Sequence, residues 1–566
     1  MSSAPPLLLS ESFVPNTDLS LIAGSVPVTA LVSLIPLVVF FVLLGGLRVS
    51  ALRSALGALI AALGVAIFGM KMPWALSVAA ATEGAVFGLF PIMWIVVTAI
   101  WFYEVTVLSG RSDDLRRIFS SVGRGDMRIQ AVLIAFCFGG LLEALAGFGA
   151  PVAITGVMLV ALGLPPLRAA LAVLVANTAP VAFGAMAVPI TTAGGIIAPD
   201  DSRVAAEGIA QTVGVQTPLV AWVVPLLLLF ILDGRRGVKQ LWFPALLTGV
   251  SFSVAQWWCA HHFVYELTDV VAALIGFVVA TVLLKFWKPT TPEDQRSKVT
   301  EEPLSGTRVW MALFPYALVV VLFGVTKLWT IGVNVPKWLS STDLKITWPL
   351  LGTDLLKADG TVSSSATYTL SWLSSPGTTL LITGIIVAIV YSIFTANGKF
   401  ATSLGQALAE FWHTIVKSRV SLATVATVLA IAYVMNLSGQ TIWIGQWLAG
   451  TGLAFAFLSP ILGWLGTAVT GSDTSANALF AKLQSTAAHQ LGINEHLLVA
   501  ANTSGGVVGK MISPQNLTIA ATAVDLKGQE SSILRKSLPW SIGLLVVVCL
   551  IVGLQSTPVL GWMLPG

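Results

Sequence analysis

Long apolar runs separated by short polar loops form most of this chain. A helix that crosses a bilayer needs about 20 mostly apolar residues, because nothing in hydrocarbon can hydrogen-bond an exposed backbone. Twelve runs meet this requirement and are predicted to be transmembrane helices: 29–47, 51–70, 86–108, 167–190, 214–232, 243–260, 270–287, 309–329, 377–395, 421–436, 497–523 and 539–555.

Two further apolar stretches, 130–164 and 453–490, are interrupted near the middle by the segments GFGAP (147–151) and GSDTS (471–475). Glycine permits a tight turn, and proline can begin a helix, where its missing N–H costs nothing. We interpret both stretches as re-entrant hairpins. The predicted fold class is therefore an all-α polytopic membrane protein with about 12 transmembrane helices and two re-entrant hairpins.

The positions of the positive charges test this topology, since cytoplasmic loops collect Lys and Arg. Most of the 30 Lys and Arg residues fall on one side if the N-terminus is outside and each interrupted stretch returns to the side from which it came. Residues 1–28 contain no Lys or Arg, so no cleavable signal peptide is expected and this segment is predicted to be external. Both termini are then external.

Composition agrees with a membrane protein. The 566 residues are 56% hydrophobic and 10% charged, against about 25% charged in soluble domains, which excludes a soluble enzyme and a disordered chain. The three cysteines lie far apart, so neither a disulfide framework nor a metal site is expected. With no Walker A pattern and no long basic run, we expect no cofactor, no ATP hydrolysis and no nucleic-acid partner.

One unit of the chain occurs twice. The residues Ala-Asn-Thr, Gly, Met and Pro at 176–178, 184, 186 and 189 recur at 501–503, 509, 511 and 514, a constant offset of 325 residues. In each copy a hairpin precedes a helix with a polar Asn-Thr pair, and the two hairpins are predicted to enter from opposite sides. This inverted repeat is the architecture that places a substrate site near the midplane of secondary transporters.

The predicted domains follow from this repeat. Residues 29–240 form the first repeat, with hairpin 130–164 and broken helix 167–190, and residues 241–308 form linker helices and a cytoplasmic loop. Residues 309–566 form the second repeat, with hairpin 453–490 and broken helix 497–523. The polar insertion 331–370 is expected to be an external cap, and 399–418 a helix on the inner surface.

The interrupted helices supply the candidate substrate site. Unpaired N–H groups at a helix break attract an anion, and unpaired carbonyl groups attract a cation. Asn, Thr and Ser side chains beside the breaks can donate hydrogen bonds to a carboxylate or hydroxyl group. The predicted substrate-binding residues are Gly147, Gly149, Asn177, Thr178, Ser472, Thr474, Ser475, Asn502, Thr503 and Lys510.

Charged residues within apolar stretches are costly and therefore functional candidates. Glu143 and Asp473 lie beside the hairpin breaks and are predicted to couple protons, although either could instead cap a half-helix. Lys510 is predicted to hold a monocarboxylate or to neutralise Asp473, and its alternative is to extend toward a nearby surface. Glu83 and Glu104 lie nearer the span ends and are expected at the interface.

Three blocks resemble signatures of the bacterial L-lactate permease family: FGGLLEALAGFGAP (138–151), TGSDTSAN (470–477) and AANTSGGVVGKMISPQN (500–516). Chain length, span number and the central linker fit the same family. The resemblance implies uptake of L-lactate, often also of D-lactate and glycolate, with protons across the bacterial inner membrane.

The residues leave other functions open. Hairpin carbonyl groups could equally serve a sodium-coupled carboxylate carrier, and an anion channel is a further alternative. A membrane-embedded enzyme is disfavoured, because the intramembrane residues provide neither a nucleophile–base pair nor a metal cluster. The predicted partners are a small monocarboxylate, protons and the lipid bilayer; the oligomeric state stays open, with a homodimer as one option.

Overall fold

The computed structural model describes residues 12–15, 24–47, 49–123, 125–145, 147, 149–296, 304–329, 333–356, 361–363, 366–396, 398–526 and 528–565. These residues are mostly α-helical, as the long apolar runs predict. In chain order the helices are α1 Val26–Ser33, α2 Ile35–Phe41, α3 Ala51–Gly64, α4 Trp74–Phe87, α5 Trp94–Leu108, α6 Arg111–Ser121, α7 Met127–Val132, α8 Gly139–Leu145, α9 Ala150–Ala161, α10 Pro166–Ala176, α11 Gly184–Ile197, α12 Ser202–Gln216, α13 Pro218–Ala221, α14 Val224–His262, α15 Thr268–Phe286, α16 Gly306–Leu328, α17 Val335–Ser340, α18 Leu351–Asp354, α19 Pro376–Ile393, α20 Leu404–Leu437, α21 Gln440–Ala449, α22 Ala454–Thr470, α23 Asp473–Leu491, α24 Glu495–Gly509, α25 Pro514–Ala523 and α26 Glu530–Gln555.

Short π- and 3₁₀-helical turns extend or join these helices. The π-helical turns are Val42–Gly46, Val65–Gly69, Gly88–Met93 and Leu133–Phe138. The 3₁₀ turns are Val181–Phe183, Pro199–Asp201, Tyr265–Leu267, Glu293–Gln295, Lys510–Ile512 and Gly561–Met563.

The helices confirm an all-α polytopic membrane protein. Within the described ranges, ten helical stretches are long and apolar enough to cross a bilayer, and α10 with Val181–Ile197, bent by 62°, makes an eleventh. One of these stretches, Pro199–His262, contains both predicted spans 214–232 and 243–260. The two spans are separated within it at Asp233 and Gly234, where the backbone of α14 departs from helical geometry. The count of twelve spans and the re-entrance of the two hairpins stay predictions.

The insertion after α16 carries the sheet of the described structure. Strands β1 (Leu344–Thr347) and β2 (Thr367–Leu370) pair antiparallel, with Leu344 opposite Leu370. The sheet region contacts α4 and the turn that follows it: Trp348 Nε1 donates to Thr82 Oγ1 at 3.3 Å, and Tyr368 OH donates to the Phe90 carbonyl at 2.7 Å. It therefore covers one end of the helical bundle.

The helix expected on the inner surface over 399–418 is present from Leu404, but it is not a separate element, and its place on the inner surface stays a prediction. Residues from Leu404 onward continue without a break into the predicted span 421–436, forming the 34-residue helix α20. Apolar residues at helical spacing identify a helix, but they do not show where a continuous helix changes its surroundings.

Each half of the chain contains an interrupted helix pair followed by a broken helix. The helix after each break packs against a helix of the other half. In the first repeat α8 and α9 meet at Gly147 and Gly149, and in the second α22 and α23 meet at Gly471. Helix α11 of the first repeat packs against α23 of the second, and α25 of the second packs against α9 of the first. This reciprocal packing agrees with an inverted repeat.

Candidate functional site

The turns at the two hairpin tips require glycine. Gly147, Gly149 and Gly471 have φ of 57°, 84° and 76°, in the left-handed region that other L-residues rarely adopt. In the second hairpin Ser472 begins α23 as its N-cap, and its side chain accepts the Ser475 N–H at 3.2 Å. Ser472 and the backbone of Ser475 thus have a structural role at this tip.

The centre of the site is a buried ion pair between the repeats. Lys510 Nζ on the Lys510–Ile512 turn donates to Glu143 Oε1 on α8, and the two side chains are 8% and 2% exposed. Glu143 Oε2 has no hydrogen-bond partner among the described residues. The pair joins the first hairpin to the second broken helix, so Lys510 has Glu143 as its direct ion-pair partner. The expectations that Lys510 holds a monocarboxylate or neutralises Asp473 stay predictions.

A left-handed turn at the start of α11 covers Glu143. Ala185, Met186 and Ala187 have φ of 45°, 59° and 58°, although none of them is glycine. A Cβ at the preceding Gly184 would lie 2.9 Å from Glu143 Oε1, so only glycine leaves room for the carboxylate. The first broken helix is therefore shaped around Glu143.

Asp473 lies against α24, the helix that leads into Lys510. Its Oδ1 accepts a long hydrogen bond of 3.4 Å from Thr467 Oγ1 and is the nearest atom to the Cβ position of Gly506, one helical turn before Lys510. Asp473 Oδ2 has no partner in the described part of the chain. The site therefore combines one lysine with two buried carboxyl groups that each keep a free oxygen.

A small cavity adjoins Lys510 where the two broken helices face each other. It is too narrow to admit a water molecule, and its polar lining comes from Asn177, Thr178, Lys510 and Asn516. The Asn177 and Asn516 Oδ1 atoms have no partner among the described residues, while Thr178 donates to the Val175 carbonyl at 2.7 Å. These side chains can contact a small polar ligand bound at Lys510.

The predicted residues Asn502 and Thr503 are engaged by a residue that sequence reasoning missed. Asn477 Nδ2 donates to Thr503 Oγ1 at 2.7 Å and to the Pro189 carbonyl at 3.1 Å, and Asn477 Oδ1 accepts from Asn502 Nδ2 at 2.7 Å. Asn477 is fully buried. It stood within the TGSDTSAN block, and its amide in an apolar helix was the available signal.

Further polar residues differ in their exposure. Glu83 is 1% exposed, while Glu104 is partly exposed and pairs with Lys417 at 3.6 Å; their expected place at the membrane interface stays a prediction. Thr474 is buried near the second hairpin tip, beside Asp473 in sequence. Asp269, at the edge of a predicted span, was missed and is fully buried.

A larger cavity of about 1120 Å³, including its open mouth, lies beneath the insertion. We call it the Arg203 cavity; its lining includes Thr191, Arg203, Tyr265, Glu266, Ser340 and Tyr368. Arg203 pairs with Glu207 at 2.9 Å and with Glu266 at 3.2 Å. Because Thr191 belongs to α11, this helix connects the cavity with the turn over Glu143.

Metal ligands are not clustered in the described ranges: no group of three or more His, Cys, Asp or Glu residues is placed to hold an ion. The arrangement instead presents a buried cation, two carboxyl groups and several amide and hydroxyl groups. Such a set can bind a small anion and a proton together.

Comparison with known proteins gives a consistent result over nearly the whole chain. The L-lactate permease of Bacillus subtilis (strain 168) is 38% identical over 96% of this chain and 98% of its own length. The glycolate permease GlcA of Escherichia coli (strain K12) is 38% identical over 95% and 98%, and the L-lactate permease of that strain is 36% identical over 96% and 98%.

Among solved structures, the YdaH transporter of Alcanivorax borkumensis matches with a TM-score of 0.43 at 17% identity, covering 85% of this chain and 88% of that one, which is too loose a likeness to define the fold. The family model described as L-lactate permease matches residues 29–559. The chain therefore belongs to the L-lactate permease family, whose members are transporters rather than enzymes.

Proposed function

We propose that this protein imports L-lactate, and also D-lactate and glycolate, together with protons. The relatives named for lactate and glycolate support the substrate class. The observation that carries the coupling is the buried Lys510–Glu143 ion pair at the meeting of the two repeats.

The ion pair suggests how an anion and a proton bind together. The substrate carboxylate replaces Glu143 as the partner of Lys510. Glu143 is then a buried carboxylate without a counter-cation, and binding a proton removes the cost of that isolated charge. Substrate binding and proton binding therefore favour each other at one site.

The remaining predicted residues complete this proposal. Asn177 and Thr178 line the small cavity beside Lys510 and contact the substrate hydroxyl and carboxylate. Asp473 is the second proton-binding group. Gly147, Gly149 and the second tip with Ser472, Thr474 and Ser475 shape the hairpins, and Asn502 and Thr503 hold the second broken helix in place.

Transport then proceeds by alternating access, in which one repeat rocks against the other around the fixed site. We place the protein in the bacterial inner membrane with both termini outside. One anion with one proton moves no net charge, so with that ratio the pH gradient drives uptake and the membrane potential does not. With two protons for each anion, the membrane potential contributes as well.

The test is uptake of radiolabelled L-lactate into proteoliposomes with an alkaline interior, in choline buffer without sodium. The expected result is transient accumulation above equilibrium that a protonophore abolishes. Uptake that requires sodium would replace the proton by sodium as coupling ion, and equilibration without accumulation would indicate a channel; both results contradict the proposal.

A further inference from the structure

Asp269 is a buried carboxyl group to which the mechanism above gives no role. It lies in the first turn of α15 and is 0% exposed. Oδ1 accepts a hydrogen bond of 2.8 Å from Gln256 Nε2, and Oδ2 has no partner within the described residues. One amide donor is a weak environment for a carboxylate removed from water.

No counter-cation compensates this burial. Among the described residues, no Lys, Arg or His forms an ion pair with Asp269; Arg203, which lines the neighbouring cavity, pairs with Glu207 and Glu266. The ionisable groups that face Asp269 are Glu143 on α8, Cys259 on α14, and Tyr265 and Glu266 on the preceding turn. None of these carries a positive charge, so a bound proton is the means by which Asp269 avoids an isolated buried charge.

The packing of α15 against α8 brings Asp269 to the level of Glu143. A Cβ at Gly276 would lie 3.7 Å from Cys137 Sγ, and a Cβ at Gly140 would lie 3.6 Å from Ala273 Cβ. Three residues later in the chain that leads into α8, the contact on α15 lies three residues earlier, so the two helices run antiparallel. One further step of the same size places Glu143 beside the Asp269–Val270 peptide.

Asp269 also lies one turn below the Arg203 cavity. Tyr265 and Glu266, which line that cavity, precede Asp269 by four and three residues, one turn of a helix. In the predicted topology this end of α15 is external. The carboxyl group therefore stands between solvent on the outer side and the Glu143–Lys510 pair.

Gln256 connects Asp269 with the first broken helix. The amide group that donates to Asp269 also donates to the Ala179 carbonyl at 3.2 Å, directly after Asn177 and Thr178. Movement of that break during transport therefore changes the hydrogen bonding of Asp269.

We propose that Asp269 is a proton-binding site through which protons pass from the Arg203 cavity to Glu143. This inference rests on the proposed function and on its orientation. Protons entering from the outer side then pass along α15 to Glu143, whereas the substrate anion binds at Lys510.

The first test compares Asp269→Asn with wild type in proteoliposomes. The amide oxygen of Asn can still accept from Gln256, but the side chain cannot take up and release a proton. We expect lactate exchange at equal pH on both sides to persist, and acid-driven accumulation to fall to the level measured with a protonophore. Asp269→Glu, which keeps an ionisable group, is expected to restore part of the accumulation.

A second readout detects the proton itself. Infrared difference spectra between acidic and alkaline buffer should contain the carbonyl band of a protonated carboxylic acid, and Asp269→Asn should remove one component of it. Glu83→Gln is the matched control, because Glu83 is equally buried but lies on α4 and is not among the groups that face Asp269. This control should retain acid-driven accumulation and the Asp269 component of the band.

The outcomes separate this inference from the proposed function. If wild type shows no protonophore-sensitive accumulation, the proposed function fails first. If wild type accumulates lactate and Asp269→Asn does so equally, only the role of Asp269 is wrong. Loss of exchange as well as accumulation in Asp269→Asn, unrepaired in Asp269→Glu, would make Asp269 a structural residue and overturn the inference.

Discussion

Lys510 and Glu143 form an ion pair that does little for the stability of the fold. Removing two charges from water costs about as much as their attraction returns, so a buried pair is weak evidence for stabilisation. Removal of one partner is different, because the other is left as an isolated buried charge. The pair is therefore best explained by the anion that competes for Lys510.

Replacement of Lys510 tests this explanation. We expect Lys510→Ala to raise the half-saturating lactate concentration strongly and to lower the free energy of unfolding by about 3–5 kcal/mol. The first effect is measured by uptake kinetics, and the second by Tm in detergent.

The double variant Glu143→Gln, Lys510→Met serves as the control, because it leaves neither charge behind. It should recover much of the lost stability without recovering high-affinity uptake. A Lys510→Ala variant with ordinary affinity and Tm would instead support a lysine that extends toward a surface.

Asp473 gives a prediction of its own. Asp473→Asn can still accept from Thr467 Oγ1 but carries no exchangeable acid proton. Lactate exchange should persist and acid-driven accumulation should be lost, measured in the same proteoliposomes with and without a pH gradient. Unaltered uphill uptake would remove Asp473 from the coupling role.

At the scale of elements, α22 and α24 pack closely through glycine. The Cβ positions of Gly505 and Gly509 point directly at the carbonyl oxygens of Pro460 and Trp464. Their Gly-x-x-x-Gly spacing in the sequence is typical of such a contact. The same helix presents Gly506 to Asp473, so its backbone forms one wall of the site.

A methyl group on that wall should disturb the site. We expect Gly506→Ala to displace Asp473, because the new Cβ would lie 2.6 Å from Thr467 Oγ1 and even closer to Asp473. Acid-driven uptake should fall and Tm should drop by several degrees. Gly543→Ala on α26, with nothing within 4 Å of the new methyl, is the matched control and should change neither quantity.

The sequence predicted the helices well and their breaks in part. Apolar runs determine helix positions because hydrocarbon tolerates only internally hydrogen-bonded backbone. The glycine-rich tips at Gly147 and Gly471 were recognisable for the same local reason. The left-handed turn at Ala185 was not, because alanine rarely adopts that conformation and only its surroundings can impose it.

The site was predicted as a set of residues but not as a set of contacts. Glu143, Asp473 and Lys510 stand out as charges within apolar sequence. The pairing of Lys510 with Glu143 depends on packing between distant helices, and local sequence therefore could not predict it. Asp269 was missed because it lies at the edge of a span, where charge is ordinary.

At the scale of the whole molecule, the two repeats hold each other by equivalent surfaces. Helix α9 lies against α25, where the Cβ position of Gly156 is 3.2 Å from Ala523 Cβ, and α23 is tied to α11 through Asn477. The constant offset of 325 residues predicted the duplication. It could not show which halves meet, since that depends on packing between helices far apart in the sequence.

A disulfide between the repeats tests alternating access. Gly156→Cys with Ala523→Cys places two Cβ atoms near the separation of about 3.8 Å that a disulfide requires. If α9 and α25 move relative to each other, oxidation should stop lactate uptake and a reductant should restore it. Uptake and cross-linking are measured on the same sample.

The two cysteines are introduced into a Cys549→Ser variant, because Cys549 is partly exposed and could react with the oxidant. Cys137 and Cys259 are buried and can be left in place. Each single-cysteine variant treated with oxidant is the control. Full transport by a cross-linked protein would show that α9 and α25 move together as one body, contrary to the proposed rocking of repeats.

The left-handed turn at Ala185, Met186 and Ala187 makes the two repeats unequal in energy. Each non-glycine residue in this conformation costs about 1–2 kcal/mol, whereas the corresponding Lys510–Ile512 turn of the second repeat is an ordinary 3₁₀ turn. The backbone of the first repeat is therefore strained at this turn and is held there by the surrounding helices. A conformation in which the turn returns to ordinary backbone angles is favoured by the strain energy that it releases. Two copies of one architecture can therefore differ in the energy stored at their breaks, which biases the populations of the protein's conformations, whereas the gradients of substrate and protons set the direction of transport.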